Sequence, residues 1–101
     1  MTIDIKDAIK RLADCAGCTE NELVHSHRVI PVTLRHQLWK ALYDDGMHPK
    51  DIANAFEHDR TTVLYGIQRA NLINAKNGYK REHALFLRAM NMEQSPQNQN
   101  Q

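Results

Sequence analysis

The stretch that decides the fold is PKDIANAFEHDRTTVLYGIQRANLINAK, residues 49–76, in which two periodic apolar segments flank a polar run. Pro49 suits the first turn of a helix, and Gly78 can end one. Apolar residues recur at helical spacing on both sides of the polar run: Ile52, Ala53 and Phe56, then Val63, Leu64, Ile67 and Ala70. The pattern predicts a short helix, a very short turn, and a long helix from residue 59 to about 76.

Further helices are predicted before this pair. Residues 4–16 keep a spacing of three and four between apolar residues and stop at Gly17. TENE, residues 19–22, forms a capping box that opens a short helix ending near Val24. Pro31 fits the first turn of a third helix, which ends at Gly46. Its apolar positions are Leu34, Leu38, Trp39, Leu42 and Tyr43.

Residues 79–92 form the last predicted helix, through Ala84, Leu85, Leu87 and Met90. No segment alternates with period two, so the sequence predicts no strands. We therefore expect an all-α, compact domain of about six helices over residues 1–93. The polar segment 94–101 has no period and is predicted to be a disordered tail.

Composition narrows the classes of function. The chain has 101 residues and a net charge of +1, but residues 28–81 carry nine Lys and Arg against five Asp and Glu. This basic middle favours a polyanionic partner. No apolar run approaches the ~18 residues that cross a bilayer. The N-terminus lacks the basic start and apolar stretch of a signal peptide, so we expect a cytoplasmic protein with no membrane partner.

A short helix, a tight turn and a longer helix with a polar N-terminal end are typical of the helix-turn-helix motif. Such a helix fits the major groove of DNA, and its first side chains reach the base edges. Arg60 can pair with guanine, Asp59 can accept from the cytosine amino group, and the Thr61 methyl can contact thymine. With Tyr65, these are the candidate base contacts. Candidate contacts to the DNA backbone or minor groove are Arg28, Arg35, His58, Thr62, Gln68, Arg69 and Lys76.

The segment DRTTVLYGI, with DIANAF and VTLRHQLWKAL before it, resembles the C-terminal DNA-binding domain (domain IV) of DnaA, the bacterial replication initiator. The signature residues are Asp59, Arg60, Thr61, Thr62, Val63, Leu64 and Tyr65, and the resemblance covers roughly residues 3–92. It implies an all-helical domain that places the helix from Asp59 in the major groove of a duplex. It also implies that a basic residue ahead of the third helix enters the neighbouring minor groove.

The sequence departs from that family at several points. Arg60 stands where the family usually has histidine, and the turn before Asp59 is shorter and lacks the usual glycines. The chain contains no Gly-rich phosphate loop with Lys and Ser/Thr, so we expect no nucleotide and no cofactor. The resemblance therefore implies a stand-alone DNA-reading module, of bacterial or phage type, that regulates replication initiation or transcription.

Other interpretations remain open from the sequence. Asp59 can cap its helix, and Arg35 can pair with Asp44 or Asp45. The whole chain can be a protein-interaction module without DNA affinity, and the C-terminal helix can contact a second copy of the chain or a protein partner. Catalysis has no support, because no Ser–His–carboxylate grouping is evident. A zinc site would use Cys15, Cys18, His25 and His27.

Overall fold

The computed structural model describes residues 3–76 and 80–90, and this part of the chain forms six α-helices and no strands. The helices are α1 (Ile5–Ala16), α2 (Glu20–His25), α3 (Val29–Asp44), α4 (Pro49–Phe56), α5 (Arg60–Lys76) and α6 (Lys80–Ala89). The predicted all-α class and the helix number are confirmed. The predictions for Gly78, for the side chains of Lys76 and Leu85, and for the tail at 94–101 lie outside the described residues.

The helix ends follow the local sequence signals. Asp4 caps α1 by accepting a hydrogen bond from the Asp7 amide at 3.2 Å, and Gly17 ends it in the left-handed conformation at φ 71°. The predicted capping box opens α2: the Thr19 amide donates to Glu22 Oε1 at 2.9 Å, and the Glu22 amide donates to Thr19 Oγ1 at 3.0 Å. These side chains satisfy backbone donors that have no partner within the helix.

Helix α3 occupies the centre of the fold and contacts each of the other five described helices. Its Trp39 is completely buried and meets the Phe56 ring edge-on, with 5.8 Å between the ring centroids. Removing either ring should cost about 3–5 kcal/mol, because the truncation loses buried apolar surface and leaves a cavity. Other fully buried side chains come from all five of the first helices: Leu12, Leu23, Leu34, Leu38, Ile52 and Val63.

Gly66 lets α5 approach α3 closely. A Cβ at this position would lie 2.6 Å from Trp39 Cε3 and 2.7 Å from His36 Cδ2, far inside ordinary contact distance. No other residue can therefore stand here without moving the two helices or the tryptophan ring. The contact fixes how α5 lies across the centre of the domain.

The structure differs from the sequence prediction in small respects. Tyr43 is 48% exposed and does not join the core. Leu64 is only half-buried, whereas Val63, Ile67 and Ala70 are buried as predicted. Helix α2 continues one residue further, to His25, and α5 starts at Arg60. None of the described helices is long and apolar enough to span a bilayer.

Candidate nucleic-acid interface

The turn between α4 and α5 consists of residues 57–59. Glu57 adopts the left-handed conformation (φ 58°), which glycine usually occupies at a helix C-terminus. The His58 amide donates to the Ala53 carbonyl at 3.0 Å and closes the end of α4. The chain thus turns sharply without glycine, and α5 starts only three residues after α4 has ended.

Side chains at the start of α5 face solvent. Asp59, Arg60, Thr61 and Thr62 are all exposed. The Asp59 carbonyl accepts from the Val63 amide at 3.1 Å, which begins the helix. Among residues 3–76 and 80–90, no hydrogen bond or ion pair holds the side chain of Asp59 or Arg60, so the capping alternative for Asp59 is not realised there. Two charges and two hydroxyls at this end are available to a ligand.

The exposed face continues along α5. Tyr65 is 58% exposed, and its ring stands edge-to-face with the His36 ring, with 6.3 Å between the centroids. Gln68 is exposed, Arg69 is half-buried, and Leu72 is 48% exposed. Tyr65 lies three or four residues from Thr61, Thr62, Gln68 and Arg69, and Leu72 lies three or four residues from Gln68 and Arg69, so these side chains share one broad side of the helix.

The burial of Arg35 contradicts its predicted contact with DNA. Arg35 is only 5% exposed, and its Nη1 and Nη2 donate to the carbonyls of Leu23 and Ser26 at 2.7 and 3.0 Å. Burial lowers the pKa of this guanidinium from its usual value. Its expected contact with DNA is therefore wrong, because a phosphate cannot reach a side chain enclosed by α2 and α3. The alternative of a pair with Asp44 is also wrong, since Asp44 pairs with Lys40, whereas the alternative of a pair with Asp45 stays a prediction.

His58 is likewise tied into the fold rather than displayed on the surface. Its Nε2 lies 2.7 Å from the Val24 carbonyl, and its ring stacks on His25 and meets Trp39 edge-on. Together with Arg35, it binds backbone carbonyls at the C-terminal end of α2, where helix carbonyls lack internal partners. We therefore assign His58 to positioning the turn before α5.

Arg28 remains an exposed cation at the start of α3. It occupies the residue before the helix, and its amide donates to Ser26 Oγ at 3.1 Å while its side chain makes no capping hydrogen bond. The predicted backbone or minor-groove contact of Arg28 stays a prediction, as does that of Lys76.

The structure adds two residues that the sequence predictions did not include at this site. Gly66 seats α5 against Trp39, as described above. His36 is half-buried beside Tyr65, and its pKa is lowered from 6.5 to about 4, mainly by burial and further by the charges of Arg35 and Arg69. The imidazole is therefore neutral at pH 7 and adds no positive charge to the surface around α5.

The residues of the zinc alternative do not assemble into a metal site. Within the described ranges, no three His, Cys, Asp or Glu side chains form a group that could hold a metal ion. Cys15 is exposed, whereas Cys18 is half-buried, and burial raises the pKa of its thiol. His25 instead faces Glu57, with 3.7 Å between Nε2 and Oε1, and stacks on His58.

Comparison with known proteins yields no relative. No protein-family model, curated protein or solved structure matches this chain.

Proposed function

We propose that this protein binds double-stranded DNA through the α4–turn–α5 unit and acts as a regulator of replication initiation or transcription in a bacterial or phage setting. One observation carries the proposal. The start of α5 presents Asp59, Arg60, Thr61 and Thr62 to solvent, without partners among the described side chains, three residues after a preceding short helix. This arrangement supports a helix that enters the major groove with its N-terminal end near the bases.

The cation at the start of α5 favours a functional role over a structural one. A positive side chain in the first turn opposes the helix dipole, at a cost of about 0.3–1 kcal/mol. Arg60 makes no ion pair within the described residues that could offset this cost. Arg60 thus weakens its own helix without an offsetting ion pair in the described part of the chain, and its side chain remains exposed. Its presence is therefore better explained by binding to an anion or to the edge of a base than by the fold.

The contacts divide into two classes under this proposal. Asp59, Arg60, Thr61 and Tyr65 face the base edges, whereas Thr62, Gln68, Arg69, Arg28 and Lys76 serve the phosphates. Base contacts give sequence preference, and phosphate contacts give affinity that falls with salt. The DnaA-like signature of the sequence supports a duplex site over single-stranded nucleic acid.

Selection of duplexes from a random pool, followed by titration at several salt concentrations, tests the proposal. We expect the affinity for the selected duplex to fall steeply with salt. Arg60→Ala should weaken binding of the selected duplex by about 1–3 kcal/mol and relax the sequence preference at one base pair. Its effect on the affinity for random duplexes should be small. The matched control is Arg88→Ala, which removes an exposed arginine from α6.

Two results would defeat the proposal. One is an absence of duplex binding at low salt by a chain that circular dichroism shows to be folded. The other is an equal loss of affinity for Arg60→Ala and Arg88→Ala, which would mean that binding reflects overall charge and not the start of α5.

A further inference from the structure

A groove of about 550 Å³ opens between α1, α3, α5 and α6, away from the start of α5. Its nearest residue on α5 is Asn74, and 14 residues of helix separate Asn74 from Arg60, about 21 Å along the axis. The groove therefore lies well away from the start of α5, where the candidate base contacts stand.

The floor of the groove is apolar. Phe86 forms its buried base at 3% exposure, and four half-buried side chains surround it: Ile3, Ala41, Leu87 and Met90. Each of the four packs on the core with one side and keeps part of its surface open to the groove. Methionine adapts its shape to different apolar partners, which suits a surface that receives a side chain from another molecule.

Acidic residues dominate the rim. The described lining contains four aspartates, of which Asp45 has a further interaction, together with Arg11 and Lys40. Both cations are already paired, Arg11 with Asp7 at 2.8 Å and Lys40 with Asp44. Asp4 is exposed and has no cationic partner among the described residues. Asp4 thus offers an uncompensated carboxylate at the rim, which attracts a cation.

One polar pair at the groove connects it to α5. Gln37 Nε2 donates to Asn74 Oδ1 at 2.8 Å, and Asn74 Nδ2 donates back to Gln37 Oε1 at 3.3 Å. Because this reciprocal pair joins α3 to α5, both the central helix and the C-terminal half of α5 line the groove.

From the apolar floor and the acidic rim we infer that the groove is a docking site for another protein, specifically for an amphipathic segment whose apolar face is flanked by Lys or Arg. An amphipathic helix laid in a groove between helices buries its apolar face, and rim charges choose its partner and speed its encounter. The inference does not depend on DNA binding, because none of the lining residues belongs to the candidate nucleic-acid interface.

A pair of synthetic peptides tests this inference on the full chain. The first is a fluorescently labelled amphipathic helix of leucine and lysine, and the second has the same leucines with glutamate in place of lysine. We expect the lysine peptide to bind at low salt and the glutamate peptide to bind at least about tenfold more weakly. No binding, or equal binding of both peptides, would overturn the inference.

Variants of the chain locate the binding. Ala41→Arg places a cation in the groove and should lower the affinity for the lysine peptide by about tenfold or more. Ala84→Arg, on the exposed side of α6, should change that affinity by less than about twofold. Asp4→Asn keeps an N-cap for α1 and removes the unpaired charge. It should lower the affinity for the lysine peptide severalfold more than Asp14→Asn, whose position lies outside the groove.

Three outcomes separate the alternatives. Equal effects of the groove variants and their controls would overturn the inference, as would dimerisation of the chain that Ala41→Arg abolishes, since a second copy would then be the occupant. Unchanged peptide affinity in Arg60→Ala supports a site that is independent of the start of α5. Circular dichroism checks that each variant is folded, and Asp4→Asn, which retains an N-cap for α1, tests the groove even if Ala41→Arg does not fold.

Discussion

Substituting Gly66 by alanine should destabilise the protein, although the same change in an exposed helix stabilises it. Alanine favours a helix over glycine by about 1 kcal/mol. Here the new methyl would stand 2.6 and 2.8 Å from Trp39 Cε3 and Cζ3, and 2.7 Å from His36 Cδ2. Ordinary carbon contacts are about 3.5–4.0 Å, so α5 and the rings must separate by about 1 Å.

Trp39 cannot absorb that movement. Its ring is fully buried, with Phe56 edge-on at 5.8 Å and His58 edge-on at 5.2 Å. Overpacking of a rigid core typically costs about 1–3 kcal/mol, and because three ring atoms lie within 3.0 Å of the new methyl we expect the upper part of that range, about 2–3 kcal/mol, against the gain of about 1 kcal/mol in helix propensity. We expect a net loss of about 1–2 kcal/mol in the free energy of unfolding. For a domain of this size, that loss lowers the melting temperature by roughly 4–16 °C.

Urea unfolding followed by far-UV circular dichroism measures the effect. Trp39→Phe removes the two tryptophan atoms nearest the new methyl, so a double-mutant cycle measures the share of the cost that arises at Trp39. The loss caused by Gly66→Ala should shrink by about 1 kcal/mol in the Trp39→Phe background. A neutral or stabilising Gly66→Ala would refute the close approach of α5 to α3. A cycle with no coupling would show that the cost arises elsewhere.

Three further predictions concern single residues. Arg35→Lys keeps the charge but cannot bridge two carbonyls, so urea unfolding should show a loss of about 1–2 kcal/mol in the free energy of unfolding. The affinity of the folded variant for duplex DNA should stay unchanged, and an unchanged free energy of unfolding would argue against the buried bridge. Glu57→Gly relieves the left-handed conformation and should raise the melting midpoint by the equivalent of about 0.5–1 kcal/mol, whereas Glu57→Ala, which loses the same carboxylate, should give no gain. Because the pKa of His36 is lowered from 6.5 to about 4 by folding, the unfolded chain binds a proton in this range that the folded chain does not, and the free energy of unfolding falls as pH falls from 6.5 to about 4. His36→Gln should reduce this dependence of the free energy of unfolding on pH. An unchanged dependence would show that the ring is not desolvated.

Local signals along the chain predicted the helices well, because each is decided within a few residues. Gly17, the capping box at Thr19 and Glu22, and Pro49 act on their immediate neighbours, and the apolar spacing of three and four needs only the helical repeat. The exposed start of α5 was also predictable, since no apolar residue interrupts the run from Glu57 to Thr62.

The rest depends on tertiary contacts that spacing does not contain. Arg35 lies one helical turn before Trp39 on the buried side of α3, which hinted at burial, but its partners are carbonyls at the end of a different helix. Gly66 stood inside a helical pattern, which signals a packing reason without identifying the tryptophan. Glu57 gave no sign of its left-handed conformation, because glutamate rarely adopts it.

Helix α2 has a consequence for the kinetics of local opening. It has six residues, far fewer than the ~12–15 that an isolated helix needs to persist in water. Its last carbonyls are bound by Arg35, from the central helix, and by His58, from the turn that precedes α5. The exchange of α2 amide protons with solvent should therefore be limited by the rate at which the hydrogen bonds from Arg35 and His58 break. Because His58 belongs to the turn before α5, a displacement of α2 also displaces the start of α5.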